Sequence, residues 1–455
     1  MRSETIRRVF MKFKPAIDKN FRPLSLELAA FRRRAKGGTL TIVIEDADGY
    51  NFTYRLPFTG DVKEDYPIAE RIVKSLLWIV GGNRVYVAGN GEIYRRLKAD
   101  YSAAGARAFD AAFMERVYEK PFEVVDGDAF GLPAENRRSV AVGNALNGCR
   151  IGFDAGGSDR KVSAVMDGEV LYSEEVEWLP KISEDWRYQY DGILTAMKTA
   201  ASKLPRVDAI GVSSAGIYRN NKIMVASLFN KIPREDFDRH VKNMYLDIAA
   251  EIGAPVVVAN DGDVTALAGS LDSETGELLG IAMGTSEAAG YVDGEKNLNG
   301  WLSELAFVPV DCNPGAMEDE WSGDIGCGVK YFSQDGVIKL AEMAGYRFEA
   351  DLTPAQKLKV VQKMMTDGDP LAGQIYHDIG VYLGYALPYY AEFYAIKEVL
   401  LLGRVTSGKG GEYALSVARE ILKEEFGSDI VLKMPDEKQR RLGQSIAAAM
   451  LPEVK

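Results

Sequence analysis

Cysteine and histidine are scarce in this chain. Its 455 residues hold three cysteines, Cys149, Cys312 and Cys327, and two histidines, His240 and His377. Three cysteines cannot all pair internally, which argues against a disulfide framework and for a reducing compartment; the expected location is the cytoplasm. Both histidines fall in segments of helical patterning, where a solvated or capped imidazole is expected rather than a catalyst. No apolar run approaches the ~18–20 residues that span a bilayer, so no membrane partner is expected. The opening MRSETIRRVFMKFK is basic but lacks the continuous apolar stretch of a signal peptide.

Charge excludes a second class. The net charge of −11 disfavours non-specific nucleic-acid binding by the whole molecule. It is unevenly spread. Residues 1–36 carry eleven Lys/Arg against three acidic residues, a net of +8, which leaves −19 on the remainder. Such an arm is expected to dock on the acidic body. It has no helix-turn-helix pattern that would make it a nucleic-acid reader. The hydrophobic content of 47% is that of a globular protein, and the length calls for two to four domains.

What the chain does have is three short segments in a telling order: Asp154-Ala155-Gly156-Gly157-Ser158, Asn260-Asp261-Gly262-Asp263, and Gly284-Thr285-Ser286-Glu287-Ala288-Ala289-Gly290. Each follows an apolar run that reads as a buried strand. Gly156, Gly157 and Ser158, like Gly284, Thr285 and Ser286, form turns whose backbone N–H groups can face phosphate oxygens without a Cβ in the way. Asp154 is a candidate holder of Mg²⁺, directly or through water. Asp261 ends a strand and begins a helix; with Asp263 as the helix cap, it is free to act as a base. Two phosphate cradles with a carboxylate between them point to phosphoryl transfer.

The rest of the chain frames these segments. Residues 1–145 read as a small α+β module with a hairpin over 38–57, a helix over Ile68–Ile79, a strand at Arg84–Ala88 and two helical stretches to about 120. Residues 126–148 read as a linker. A βββαβαβα order follows over 149–272. The region 277–435 begins similarly, with strands at Leu278–Met283, Ala288–Val292 and Leu305–Val310. Helices at 334–344, 355–366 and 371–394 follow, then a strand at 398–403, and a terminal helix at 436–450 returns to the first half. The fold class is α/β, two similar halves around a cleft.

Over roughly 150–450 the chain resembles the ROK family of sugar kinases and repressors, in the actin-like ATPase superfamily with its ribonuclease H-like core. The three segments look like its phosphate-1, catalytic-Asp and phosphate-2 signatures. Gly368-Asp369-Pro370, Tyr382-Leu383-Gly384 and Glu398–Gly403 resemble its tail, and Ser303-Glu304-Leu305-Ala306-Phe307 its "GExGH". The resemblance implies ATP, Mg²⁺ and a sugar hydroxyl as acceptor, with Asp261 as base and Asn260 and Glu304 on sugar hydroxyls. It places Gly403, Thr406, Ser407 and Gly408 near the nucleoside. It also leaves open a second reading, an inactive sugar- or nucleotide-responsive regulator, and a homo-oligomer.

The departures from that family concern its zinc. Phe307 stands where the family histidine falls. Cys312 and Cys327 lack a neighbouring histidine, and the "GCxE" position reads Gly326-Cys327-Gly328-Val329. No structural zinc is expected. Residues 318–328 (EDEWSGDIGCG) look like a replacement loop, in which Trp321 is either a packing residue or a stacking surface for a sugar.

Overall fold

The computed structural model describes residues 10–143, 145–271, 273, 276–435 and 437–454. Strands β1 (Gly38–Glu45) and β2 (Asn51–Phe58) pair around a tight turn, where Asp46 Oδ1 accepts the amides of Asp48 and Tyr50 at 2.9 and 3.0 Å. Strands β3 (Arg84–Ala88) and β4 (Glu123–Asp126) extend the sheet in the order β2-β1-β3-β4. Its helix runs over Val62–Ile79, six residues longer than the apolar periodicity predicts. Asp61 accepts the Lys63 amide at 2.9 Å and starts the helix early. Pro67, in the second turn, removes one hydrogen bond without ending it.

The second sheet holds β5 (Cys149–Ala155), β6 (Asp159–Met166), β7 (Glu169–Glu177), β8 (Ala209–Ser214) and, beyond a small hairpin of β9 (Ile217–Arg219) and β10 (Lys222–Val225), β11 (Val256–Asn260). The order is β11-β8-β5-β6-β7, antiparallel over β5–β7 and parallel over β5, β8 and β11. Every residue of β5 is buried, as for a strand covered on both faces. The terminal helix Glu437–Ala448, which breaks its helical backbone at Gly443, provides one of those covers. It lies so close that a Cβ at Gly152 or Gly211 would meet Ser445 O at 1.7 Å or Ala448 O at 1.8 Å.

The third sheet is β13 (Glu287–Val292), β12 (Leu278–Met283), β14 (Glu398–Leu402) and β15 (Val431–Lys433), in that order. The strand expected at Leu305–Val310 does not form. A 3₁₀ turn, Leu305–Phe307, stands there instead. The backbone leading into it is taken by the N-terminal module: Ser303 N donates to Ile79 O and Glu304 N to Trp78 O, both at 2.9 Å. The helical segment before β11 is interrupted, with a π-turn at Phe237–Val241 before the helix Met244–Ile252.

The basic arm docks, as its charge predicts, but it also folds. Its helix Leu24–Arg34 buries Leu24, Leu28 and Phe31. Asp378, on helix Pro370–Tyr390, accepts the amides of Ala16, Ile17 and Asp18 at 2.5, 2.9 and 3.0 Å. Arg32 forks onto Glu392 with two 2.6 Å bonds. The 126–148 stretch is not a free linker: Val140 pairs with Leu298, and Val142 is buried.

Candidate active site

The strand registers place the acidic residues at one edge. Asp154 lies beside Ser213, and Asn260 beside Ser214, so Asp154, Asn260 and Asp261 emerge together at the C-terminal ends of β5 and β11. Functional groups collect at such strand ends in α/β sheets. The cap of helix Asp261–Ser270 is Asn260, not Asp263: its Oδ1 accepts the Gly262 amide at 2.7 Å. Asn260 Nδ2 donates to Gly216 O at 2.7 Å, so both ends of the amide are engaged within the chain. Asp263 turns instead toward the Tyr291 amide of β13. The two sheets meet here on bare backbone. A Cβ at Gly262 would meet Ala289 O at 2.3 Å, and one at Gly290 would meet Asp263 N at 2.3 Å. Those two glycines bring Asp261 against the strand that follows the second glycine turn.

Five carboxyls share this region. Burial, with the Asp261 charge, pushes Asp154 up to about 7. Burial also raises Asp261, against the Gly262 amide and the Lys181 charge that lower it. Asp263 is pushed up to about 7 by burial and Asp261, and Glu304 up to about 8 by burial, Asp261 and Asp263. Glu287 is raised well above the usual range, by burial and by Glu304. Such groups hold protons that an unfolded chain, with carboxyl values near 4, has lost. The native state therefore binds more protons, and stability falls as pH rises from about 4 to about 8. We expect the ligand-free protein to melt at a lower temperature at pH 8 than at pH 5.5. A flat profile over that range would show that folding does not raise these carboxyls.

The two glycine turns and residues 403–408 follow the ends of β5, β12 and β14. Gly156–Ser158 joins β5 to β6, and Gly284–Ser286 joins β12 to β13, with Gly284 N donating to Ser286 O at 2.9 Å. The side chains of Thr285 and Ser286 are exposed. Glu287, the first residue of β13, is turned into the core. It is 3% exposed, and its Oε2 would lie 2.3 Å from a Cβ at Gly328. Gly403 (φ +101°) passes beside the end of β12, where Val405 N donates to Met283 O at 3.0 Å. The 403–408 segment thus runs alongside the second turn. Thr406 is buried and bonds Gly403 O, while Ser407 bonds Arg404 O and leaves helix Gly408–Phe426 without a side-chain cap.

The replacement loop 318–328 packs on the N-terminal module. Phe307 packs at a tilt on Trp78, with ring centroids 4.4 Å apart, and on Trp321 at 4.7 Å, with Phe109 and Phe113 completing the cluster. Trp321 is half exposed at its edge. Beneath it, Asp324 takes Arg71 at 3.0 Å, Lys74 at 3.0 Å and Arg107 at 2.9 Å. Cys327 lies 3.6 Å from the Asp324 carboxylate, with burial pushing its thiol above the usual range. Away from this loop, a cavity of about 270 Å³ opens at Asn260 and Asp263, lined also by Gly216, Arg219, Trp301 and, from the N-terminal module, Tyr118. Among the described residues, no helix is long and apolar enough to cross a membrane.

Two sheets of this topology, each ending in a glycine turn beside a shared acidic edge, define the class: a two-lobed, actin-like α/β core with a further α+β module. The sequence model of the ROK family matches residues 150–438, more than half of the chain. Solved structures agree on the fold. The ROK hexokinase from Thermus thermophilus gives a TM-score of 0.53 at 19% identity, covering 66% of this chain and 97% of that one. A ROK family transcriptional regulator, a homologue of the E. coli MLC protein, gives 0.51 at 19% identity over 67% of this chain and 78% of that one. A ROK family protein from Streptococcus pneumoniae TIGR4, solved with sucrose, gives 0.50 at 13% identity, covering 66% and 96%. No curated protein sequence matches. The chain belongs to the ROK family.

Proposed function

We propose that the protein is an ATP-dependent kinase that phosphorylates a hydroxyl of a sugar or sugar derivative. The observation that carries this reading is the pairing of Asp154 and Asp261 at one sheet edge, each raised by burial and each beside a glycine turn or its partner strand. Asp261 takes the proton of the acceptor hydroxyl. The hydroxyl oxygen then bonds to the terminal phosphorus as the bond to ADP breaks, and ADP leaves. The backbones of Gly156–Ser158 and Gly284–Ser286 hold phosphate oxygens, and Gly403 to Gly408 hold the nucleoside.

The Asp154 carboxyl, buried and raised with no ion pair of its own among the described residues, fits a divalent cation. Mg²⁺ there, directly or through water, would neutralise phosphate charge. We take the working division as a module at 1–145, a first lobe at 149–272 with the terminal helix 436–450, and a second lobe at 277–435. Closure of the lobes on substrate excludes water from the transfer.

One observation favours the sensor reading: both ends of the Asn260 amide are engaged, with Gly216 and Gly262, which leaves one N–H and one oxygen lone pair for a sugar. ADP release with Mg-ATP across a panel of sugars and amino sugars separates the two. A kinase shows stimulation by one or a few sugars, abolished in Asp154→Ala. A sensor shows no stimulated turnover, although a sugar still raises the melting temperature by binding the native state.

A further inference from the structure

We propose that Lys181 is a phosphate-binding residue that, together with the backbone of Gly156–Ser158, clamps the terminal phosphate of the bound nucleotide. The proposal rests on the kinase reading. Lys181 lies on the short turn Pro180–Ile182, between β7 and helix Trp186–Ala201. That turn is strapped to the first glycine turn through Trp178. The Trp178 indole Nε1 donates to Gly156 O at 2.8 Å, and the Trp178 amide donates to Ser158 O at 3.1 Å. The glycine turn and the lysine turn therefore form one unit.

The Lys181 side chain lies directly over Gly157. A Cβ at that position would be 2.8 Å from Lys181 Cε and 2.9 Å from Nζ. Any side chain at 157 would push the ammonium away, so the glycine serves the lysine as well as the backbone. Lys161, whose charge acts on Asp154, is engaged by Asp159 at 3.4 Å and Glu175 at 3.8 Å. Among the described residues, no ion pair or hydrogen bond holds Lys181 Nζ. Its charge is nonetheless felt at Asp261. Lys181 touches the turn that would cradle phosphates and acts on the carboxylate that would receive the proton.

The charge of the site requires such a group. A nucleoside triphosphate must enter beside Asp154, Asp261, Asp263 and Glu304, and each carboxylate that ionises repels it. A cation bound at Asp154 offsets part of this. A flexible ammonium serves the remainder, because a point charge on a four-carbon stem can follow the phosphate as it moves.

The test is Lys181→Met in the full-length chain, which keeps the apolar stem and removes the charge. Mg-ATP and Mg-ADP are titrated calorimetrically into both proteins. The variant is expected to bind ATP about tenfold more weakly and ADP within twofold of wild type. Acceptor-stimulated ADP release should fall about 10²-fold, the scale of a lost transition-state donor, with partial recovery in Lys181→Arg. Unchanged affinities and turnover, or equal losses for both nucleotides, would overturn the clamp while leaving the kinase reading intact. A wild-type protein that binds neither nucleotide would overturn the kinase reading itself, and the clamp with it.

Discussion

Asp261→Asn is expected to lower acceptor-stimulated ADP release by about 10²–10⁴-fold, the range for loss of a general base. Affinity for Mg-ATP should change little, because the amide keeps the size of the side chain and its bond to the Gly262 amide, 3.1 Å in the native protein. The helix itself should persist, since its cap is the side chain of Asn260. Loss of turnover with an unchanged melting temperature is therefore the signature of a missing base rather than a damaged fold. A variant that retains full sugar-dependent ADP release would remove Asp261 from the mechanism.

Asp324→Ala should give the largest loss of stability, about 3–5 kcal/mol, read from the urea midpoint. It removes the shared partner of Arg71, Lys74 and Arg107 and leaves buried cations with too little opposing charge. Lys74 is fully buried and, among the described residues, retains one ion pair, with Asp110 at 3.1 Å, which the Trp78 indole also engages. Burial alone would raise the Asp324 carboxyl, but Arg71 and Lys74 outweigh it and hold it below the usual range. Its contribution is thus present above the unfolded value, near 4, and is lost as pH falls through the lower folded value. The gap between variant and wild type should close in acid. A gap that persists there would assign the loss to packing. Of the departures from the family's zinc pattern, Cys327 lies in the same loop and Phe307 packs on its Trp321, and purified protein is expected to hold far less than one zinc per chain.

Some of this was legible locally. A glycine turn or an aspartate directly after an apolar run is a short-range signal: β12 ends where its run does, and β5 and β11 run on only into Ala155 and Asn260. The order of the motifs placed them in two similar halves. The helix Leu24–Arg34 was not legible. Its three final arginines obscure the apolar face, and its burial depends on helix Pro370–Tyr390, more than 300 residues away. The choice of cap was not legible either. Asn260 and Asp263 are both capping residues, and the Tyr291 amide of another sheet draws Asp263 away.

By itself, then, the sequence determined which residues stand at strand ends and which turns are free of side chains, because chain direction and backbone freedom are local properties. Tertiary structure decided what those residues face. The β12–β13 register turned Glu287 inward, and Gly262 on Gly290 closed the distance between the halves. Helix Val62–Ile79 took the backbone at 303–304 that a fifth strand would have used, and Trp178 carried Lys181 onto Gly157. Each of these depends on hydrogen bonds and contacts between segments far apart in the chain, and no local pattern encodes such distances.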